Sequence, residues 1–61
     1  MLEYCKTILT RVSFDARLFE KELRKALRNL VSDEIRELKI WCYSMFKAEH
    51  GLILDRCFPA A

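Results

Sequence analysis

A chain of 61 residues is long enough for one domain, but a domain of that size buries only about 60% of the surface that its unfolded chain exposes. With 52% hydrophobic and 33% charged residues, one Gly and one Pro, the composition excludes a disordered chain and is typical of a helical globular protein. The net charge of +2 is too small to indicate, by itself, binding to nucleic acid or to an anionic membrane.

The first predicted helix covers residues 2 to 12. Its apolar side chains recur three and four residues apart on one side: Leu2, Cys5, Ile8, Leu9 and Val12. Asp15 is a good N-cap for the next helix, and Phe14 before it is positioned to pack against Phe19 as a hydrophobic staple. The sequence therefore predicts a three-turn amphipathic helix with a tight junction after it.

The second predicted helix runs from about Ala16 to Val31. Its apolar face consists of Phe19, Leu23, Ala26, Leu27 and Leu30. The opposite side carries five cations, the basic stripe: Arg17, Lys21, Arg24, Lys25 and Arg28. Glu20 is placed to pair with Arg24 one turn later. Such a stripe can bind the phosphates of nucleic acid or another anionic partner, or it can be the solvated face that any amphipathic helix presents.

The third predicted helix begins near Asp33, with Ser32 or Asp33 as its N-cap. It ends near His50, where Gly51 is expected to form a left-handed C-cap. Its apolar residues cover most of the circumference, because a broad stripe contains Ile35, Leu38, Trp41, Cys42, Met45 and Phe46 while Ile40 and Tyr43 fall on the far side. Such a helix needs neighbours on two sides.

A second copy of the chain would supply the missing neighbour. We therefore expect a homodimer, with Ile40, Trp41 and Tyr43 as the candidate interface. Trp41, Met45 and Phe46 have two other interpretations: they can be ordinary core residues, or they can form a groove for a helix of a different protein.

The short connection between the second and third helices predicts an antiparallel hairpin. After Gly51, apolar residues predict a short C-terminal helical segment that Pro59 stops: Leu52, Ile53, Leu54, Cys57 and Phe58. We thus predict an all-α fold in one domain, residues 1–61, with the first helix packed across the hairpin and two copies forming a dimer.

The opening Met-Leu-Glu-Tyr-Cys-Lys, the junction Val-Ser-Phe-Asp and the stretch Leu-Phe-Glu-Lys-Glu-Leu-Arg-Lys resemble a group of short, uncharacterised bacterial helical proteins. The resemblance covers about the first half of the chain. It implies a small free-standing bacterial protein, and it transfers no activity or ligand to any position.

The cysteines argue against a metal or a disulfide framework. Cys5, Cys42 and Cys57 are an odd number without C-x-x-C spacing, and each falls on an apolar face, so we expect reduced, mostly buried thiols. With His50 they could form a Cys₃His zinc site, but in closed zinc sites two ligands normally come as a close pair. His50 is instead expected to be a cation near the negative end of a helix dipole. We predict no metal and no cofactor.

Catalysis and specific DNA binding by the third helix are also disfavoured. Asp33, Glu34 and Glu37 are carboxylates on a solvated first turn rather than a desolvated acid–base pair, and His50 is the only histidine. The same carboxylates would repel phosphates from the N-terminal turn of a recognition helix. We therefore expect a protein that is not an enzyme.

No apolar run approaches the length of about 20 residues that spans a bilayer, and the first twelve residues lack the pattern of a signal peptide. We expect a cytoplasmic protein without a membrane partner. The sequence favours a small interaction or regulatory module that binds protein as a homodimer. The alternative is a nucleic-acid-associated protein that binds phosphates non-specifically through the basic stripe.

Overall fold

The computed structural model describes residues 1–58, which form three α-helices and no strand. These are α1 (Leu2–Val12), α2 (Ala16–Asn29) and α3 (Ser32–Cys57). The predicted all-α fold with three helices is confirmed for this part of the chain. The expected role of Pro59 as a helix stop falls outside the described residues.

The junction between α1 and α2 shows one correct prediction and one wrong one. Asp15 caps α2, because its Oδ1 accepts hydrogen bonds from the backbone N–H groups of Arg17 at 2.9 Å and Leu18 at 3.2 Å. The hydrophobic staple does not form, since Phe14 leaves 81% of its surface exposed. Phe19 is instead enclosed by aromatic rings from α3 and has no exposed surface for Phe14 to cover.

The turn between α2 and α3 differs from the expected one. α2 ends at Asn29 rather than Val31, because Leu30 and Val31 adopt extended backbone angles that bring the Leu30 side chain into the core. Neither Ser32 nor Asp33 caps α3. Val31 occupies the N-cap position. The backbone N–H of Val31 donates a hydrogen bond of 3.1 Å to the carboxylate of Glu34.

The predicted left-handed C-cap at Gly51 does not form. The helix bends at His50, where φ is −130° and ψ is 25°, and then continues through Gly51 to Cys57. Gly51 does not have a positive φ. A left-handed residue there would turn the chain away from the protein, whereas the continued helix places Ile53 and Leu54 in the core.

Contacts between helix ends define the packing. Glu20 near the start of α2 binds Arg56 near the end of α3, so these two helices are antiparallel, as the predicted hairpin requires. Ser13 after α1 contacts His50, and Lys6 of α1 lies over Trp41, so α1 runs parallel to α3. The largest fully buried side chains are Leu9, Phe19, Leu23, Leu38, Cys42 and Leu54. Each helix therefore contributes one face to a single shared core.

Candidate protein-binding surfaces

The three residues of the predicted interface do not form one patch. Ile40 is 66% exposed, and its neighbours one turn away on the same side of α3 are the half-buried Tyr43 and three polar residues, Arg36, Glu37 and Ser44. Ile40 therefore has one aromatic neighbour, Tyr43, on a surface that is otherwise polar.

Trp41 and Tyr43 are half-buried and pack inside the protomer on different sides of α3. The Trp41 ring meets Phe46 edge-on at 5.4 Å between centroids, and Lys6 Nζ lies 5.8 Å from its centre. The Tyr43 hydroxyl donates a hydrogen bond of 2.6 Å to Asp55, which raises the pKa of Tyr43 to about 12. Only the outer parts of the two rings are free to contact another protein.

Apolar side chains also recur at helical spacing on another side of α3. Trp41, Met45 and Ala48 occupy positions i, i+4 and i+7, and Leu52 follows at i+11 beyond the bend; we call these four residues the α3 stripe. Met45 is 53% exposed and Leu52 is 81% exposed, so of the interpretations left open for Met45 the structure excludes that of an ordinary core residue. The i, i+4, i+7, i+11 spacing was visible in the sequence, but it crosses the helix end that was expected at His50.

All five members of the basic stripe are exposed. Arg24 donates two hydrogen bonds to Glu20, at 2.8 and 3.1 Å, as the i,i+4 spacing predicts. Glu20 also accepts a hydrogen bond of 2.9 Å from Arg56 and so links α2 to α3. Among residues 1–58 the other four stripe cations form no ion pair, so their charge faces solvent.

A groove lies between α1 and α2, on the side of the bundle away from α3; we call it the α1–α2 groove. From α1 it is lined by Met1, Tyr4, Cys5 and Ile8. From α2 it is lined by Glu22, Lys25, Ala26 and Asn29. It encloses about 110 Å³, and Met1 and Tyr4 at its edge are 69% and 65% exposed. Sequence reasoning missed this surface because the apolar residues of α1 were all assigned to the core.

His50 is the most unusual polar residue, since only 8% of it is exposed. Its ring stacks on Phe19 at 4.4 Å between centroids and 22° between planes. Nε2 lies 2.7 Å from the carbonyl oxygen of Ser13, so Nε2 donates and carries the proton. Nδ1 is buried without a hydrogen-bond partner among the described residues. His50 does not lie at a helix end, because α3 continues to Cys57, and its ring joins α3 to the end of α1.

The thiols are free and largely inaccessible. Cys5 and Cys42 are buried and Cys57 is half-buried. Burial raises the pKa of Cys42 to about 12, so its thiol stays protonated and unreactive near neutral pH. Within residues 1–58 no three His, Cys, Asp or Glu side chains come together as a group that could hold a metal ion. The helices in this part of the chain are also too short or too polar to cross a membrane.

The chain matches no protein-family model, no curated protein and no solved structure. Its function is therefore inferred from the exposed surfaces of the chain itself. Three have been described: the α3 stripe, the basic stripe and the α1–α2 groove.

Proposed function

We propose that this chain is a small cytoplasmic protein-interaction module that acts by binding and works as a homodimer. The observation that carries the proposal is the α3 stripe, where Met45 and Leu52 expose more than half of their surfaces next to the half-buried Trp41. Large apolar and aromatic side chains are the usual energetic anchors of protein interfaces. The free thiols are in keeping with a reducing compartment.

The shape of the α3 stripe suits a two-fold contact with its own copy. The stripe extends over about 16 Å of helix, at 1.5 Å per residue. Ala48, exposed near its middle, is small enough to let two copies of α3 approach closely where they cross. Met45 and Leu52 would then contact the same residues of the partner in the reciprocal arrangement that two-fold symmetry imposes. A small core would gain stability from the added burial.

Size-exclusion chromatography coupled to light scattering tests the dimer. At tens of micromolar we expect twice the chain mass of 7.3 kDa for the wild-type protein. Met45→Asp should give a helical monomer, because it places an unpaired charge in the contact. Ile40→Asp is the matched control on the polar side of α3 and should remain a dimer.

Three results would decide against this arrangement. A wild-type monomer with normal helicity would remove the homodimer. A Met45→Asp variant that remains a dimer would show that the dimer contact lies outside the α3 stripe. Loss of the dimer in Ile40→Asp alone would instead place the contact on the side of α3 that carries Ile40, as the sequence suggested.

The alternative function is non-specific binding of nucleic acid through the basic stripe. Its support is the exposure of five cations on one side of α2, four of them without an ion pair in residues 1–58. Fluorescence anisotropy with random DNA and RNA at about 50 mM and about 200 mM salt tests it, since phosphate binding weakens steeply over that range. Absence of binding at the lower salt concentration would remove the alternative.

A further inference from the structure

The α1–α2 groove combines an apolar floor with a cationic edge. The buried Cys5 and Ala26 and the half-buried Ile8 form the floor, and Met1 and Tyr4 lie largely exposed at its α1 edge. The opposite edge comes from α2 and includes Lys25 of the basic stripe. In this groove α1 contributes mainly apolar side chains and α2 contributes a cation, and no residue of the α3 stripe lines it.

The rows of side chains that line the groove can be followed along both helices towards the turn between them. On α2, Leu18 lies one turn before Glu22 and seven residues before Lys25, so it extends the same row of side chains. Leu18 is 40% exposed. On α1, Arg11 extends the row of Tyr4 and Ile8 in the same way and is exposed. The surface therefore extends over the length of α1, about 16 Å.

The charges around this surface are mostly positive. Lys25 lines the groove, Lys21 and Arg28 lie beside it on α2, and Arg11 lies at its far end on α1. Glu22 is the acidic residue that lines it, and Glu22 is half-buried. The excess of exposed cations around an apolar floor favours a partner that is both apolar and acidic.

We propose that the α1–α2 groove binds an acidic amphipathic helix of another protein; the inference rests on the proposed function as a protein-interaction module. A helix presents apolar side chains at i, i+4 and i+7 over about 10 Å, which fits within the length of the groove. Carboxylates flanking those anchors would lie next to Lys21 and Lys25. The basic stripe then has a specific role, as the charged edge that orients the bound helix.

The concave shape of the surface favours a helix over the two other anionic partners. An anionic membrane requires apolar side chains that protrude into the lipid, whereas Cys5 and Ala26, which line the groove, are buried. Nucleic acid would use the cations but would leave the exposed Met1 and Tyr4 side chains without an apolar partner. A helix of mixed chemistry contacts both the floor and the edge.

Fluorescence anisotropy with three labelled peptides of about 15 residues tests the inference. One peptide has Leu at i, i+4, i+7 and i+11 with Glu on both flanks. The second keeps the leucines and replaces Glu by Lys, and the third scrambles the first. We expect saturable binding of the acidic amphipathic peptide only.

Variants of the exposed residues locate the site. Tyr4→Asp should weaken binding of the acidic peptide by about tenfold or more, because it removes an aromatic anchor. Lys25→Glu should weaken it by about tenfold and should also create binding of the Lys peptide, since the edge charge is reversed. Lys47→Glu, an exposed cation on α3, is the control and should change neither affinity. Circular dichroism checks that each variant keeps wild-type helicity.

The outcomes separate this inference from the proposed function. A wild-type dimer that binds none of the peptides would overturn the groove inference and leave the interaction module in place. Equal binding of the Glu and Lys peptides would also overturn it, because the edge charges would then have no role. Binding of random DNA or of vesicles containing anionic lipid, lost in Lys25→Glu and without peptide binding, would overturn the groove inference in favour of a polyanion. Unchanged affinity of Met45→Asp for the acidic peptide would confirm that the groove acts independently of the dimer contact.

Discussion

Replacing His50 by alanine should destabilise the protein by about 3 to 4 kcal/mol. The hydrogen bond from Nε2 to the Ser13 carbonyl oxygen accounts for about 1 kcal/mol. The stacked contact with Phe19 adds about 1 kcal/mol. The cavity left by a ring that is only 8% exposed adds about 1 to 2 kcal/mol. A domain of this length has a total stability of about 3 to 9 kcal/mol, so the variant would lose between about a third and all of it.

Replacing His50 by phenylalanine separates the packing of the ring from its hydrogen bond. Phenylalanine keeps the ring on Phe19 but leaves the Ser13 carbonyl without its donor, at a cost of about 1 kcal/mol. It also removes the buried Nδ1, which has no hydrogen-bond partner among the described residues, and thereby relieves a comparable desolvation cost. We therefore expect His50→Phe to lie within about 1 kcal/mol of the wild-type protein.

Urea denaturation followed by circular dichroism measures both variants. All proteins should be compared at one chain concentration, because self-association would make the apparent stability depend on it. If His50→Phe loses as much stability as His50→Ala, the bond to Ser13 rather than the packing of the ring holds α3 to the end of α1, and the reasoning above fails.

Three further predictions concern the core, the thiols and a phenol. Leu23→Ala should lower the free energy of unfolding by about 2 to 5 kcal/mol, because Leu23 is fully buried. Lys21→Gln should change it by no more than about 0.5 kcal/mol, because Lys21 is exposed. Equal losses for the two variants in urea denaturation would show that Lys21 is covered. A thiol reagent followed by mass spectrometry should label Cys57 before Cys42 in native buffer, and the reverse order would contradict the burial of Cys42. The hydroxyl of Tyr43 should ionise near pH 12. Its ionisation is measured by subtracting the absorbance titration of the Tyr43→Phe variant from that of the wild-type protein. Because its folded pKa lies above the ordinary 10.0, its hydrogen bond stabilises the protein below about pH 10 and is lost between about pH 10 and pH 12; ionisation near pH 10 would contradict the bond.

The sequence was sufficient where local chemistry decides the structure. The extents of α1 and the start of α2 follow from periodic apolar residues and from Asp15, whose side chain caps the helix using atoms only two and three residues away. The pair formed by Glu20 and Arg24 is also local, and its spacing predicts it.

The sequence was insufficient where residues distant along the chain decide the structure. Phe14 is exposed because rings from α3 already enclose Phe19, and His50 is buried because Ser13 lies opposite it. For α3, apolar side chains occur on nearly all sides, so periodicity cannot tell which of them face the core. The sequence placed Met45 on the broad apolar stripe and Tyr43 on the far side of α3. In the structure Met45 is exposed and Tyr43 packs against the core.

The contact between His50 and Ser13 also has a consequence for synthesis of the chain on the ribosome. The two residues lie 37 positions apart, so at ordinary rates of translation the Ser13 carbonyl is made about 2 to 7 s before its donor. The ribosomal exit tunnel covers the residues made most recently, so α2 is still inside it when His50 is added, although a helix by itself forms within about a microsecond. The pocket around Phe19 therefore closes only after the whole of α3 has been made, because Phe46 and His50 supply two of the rings that enclose it.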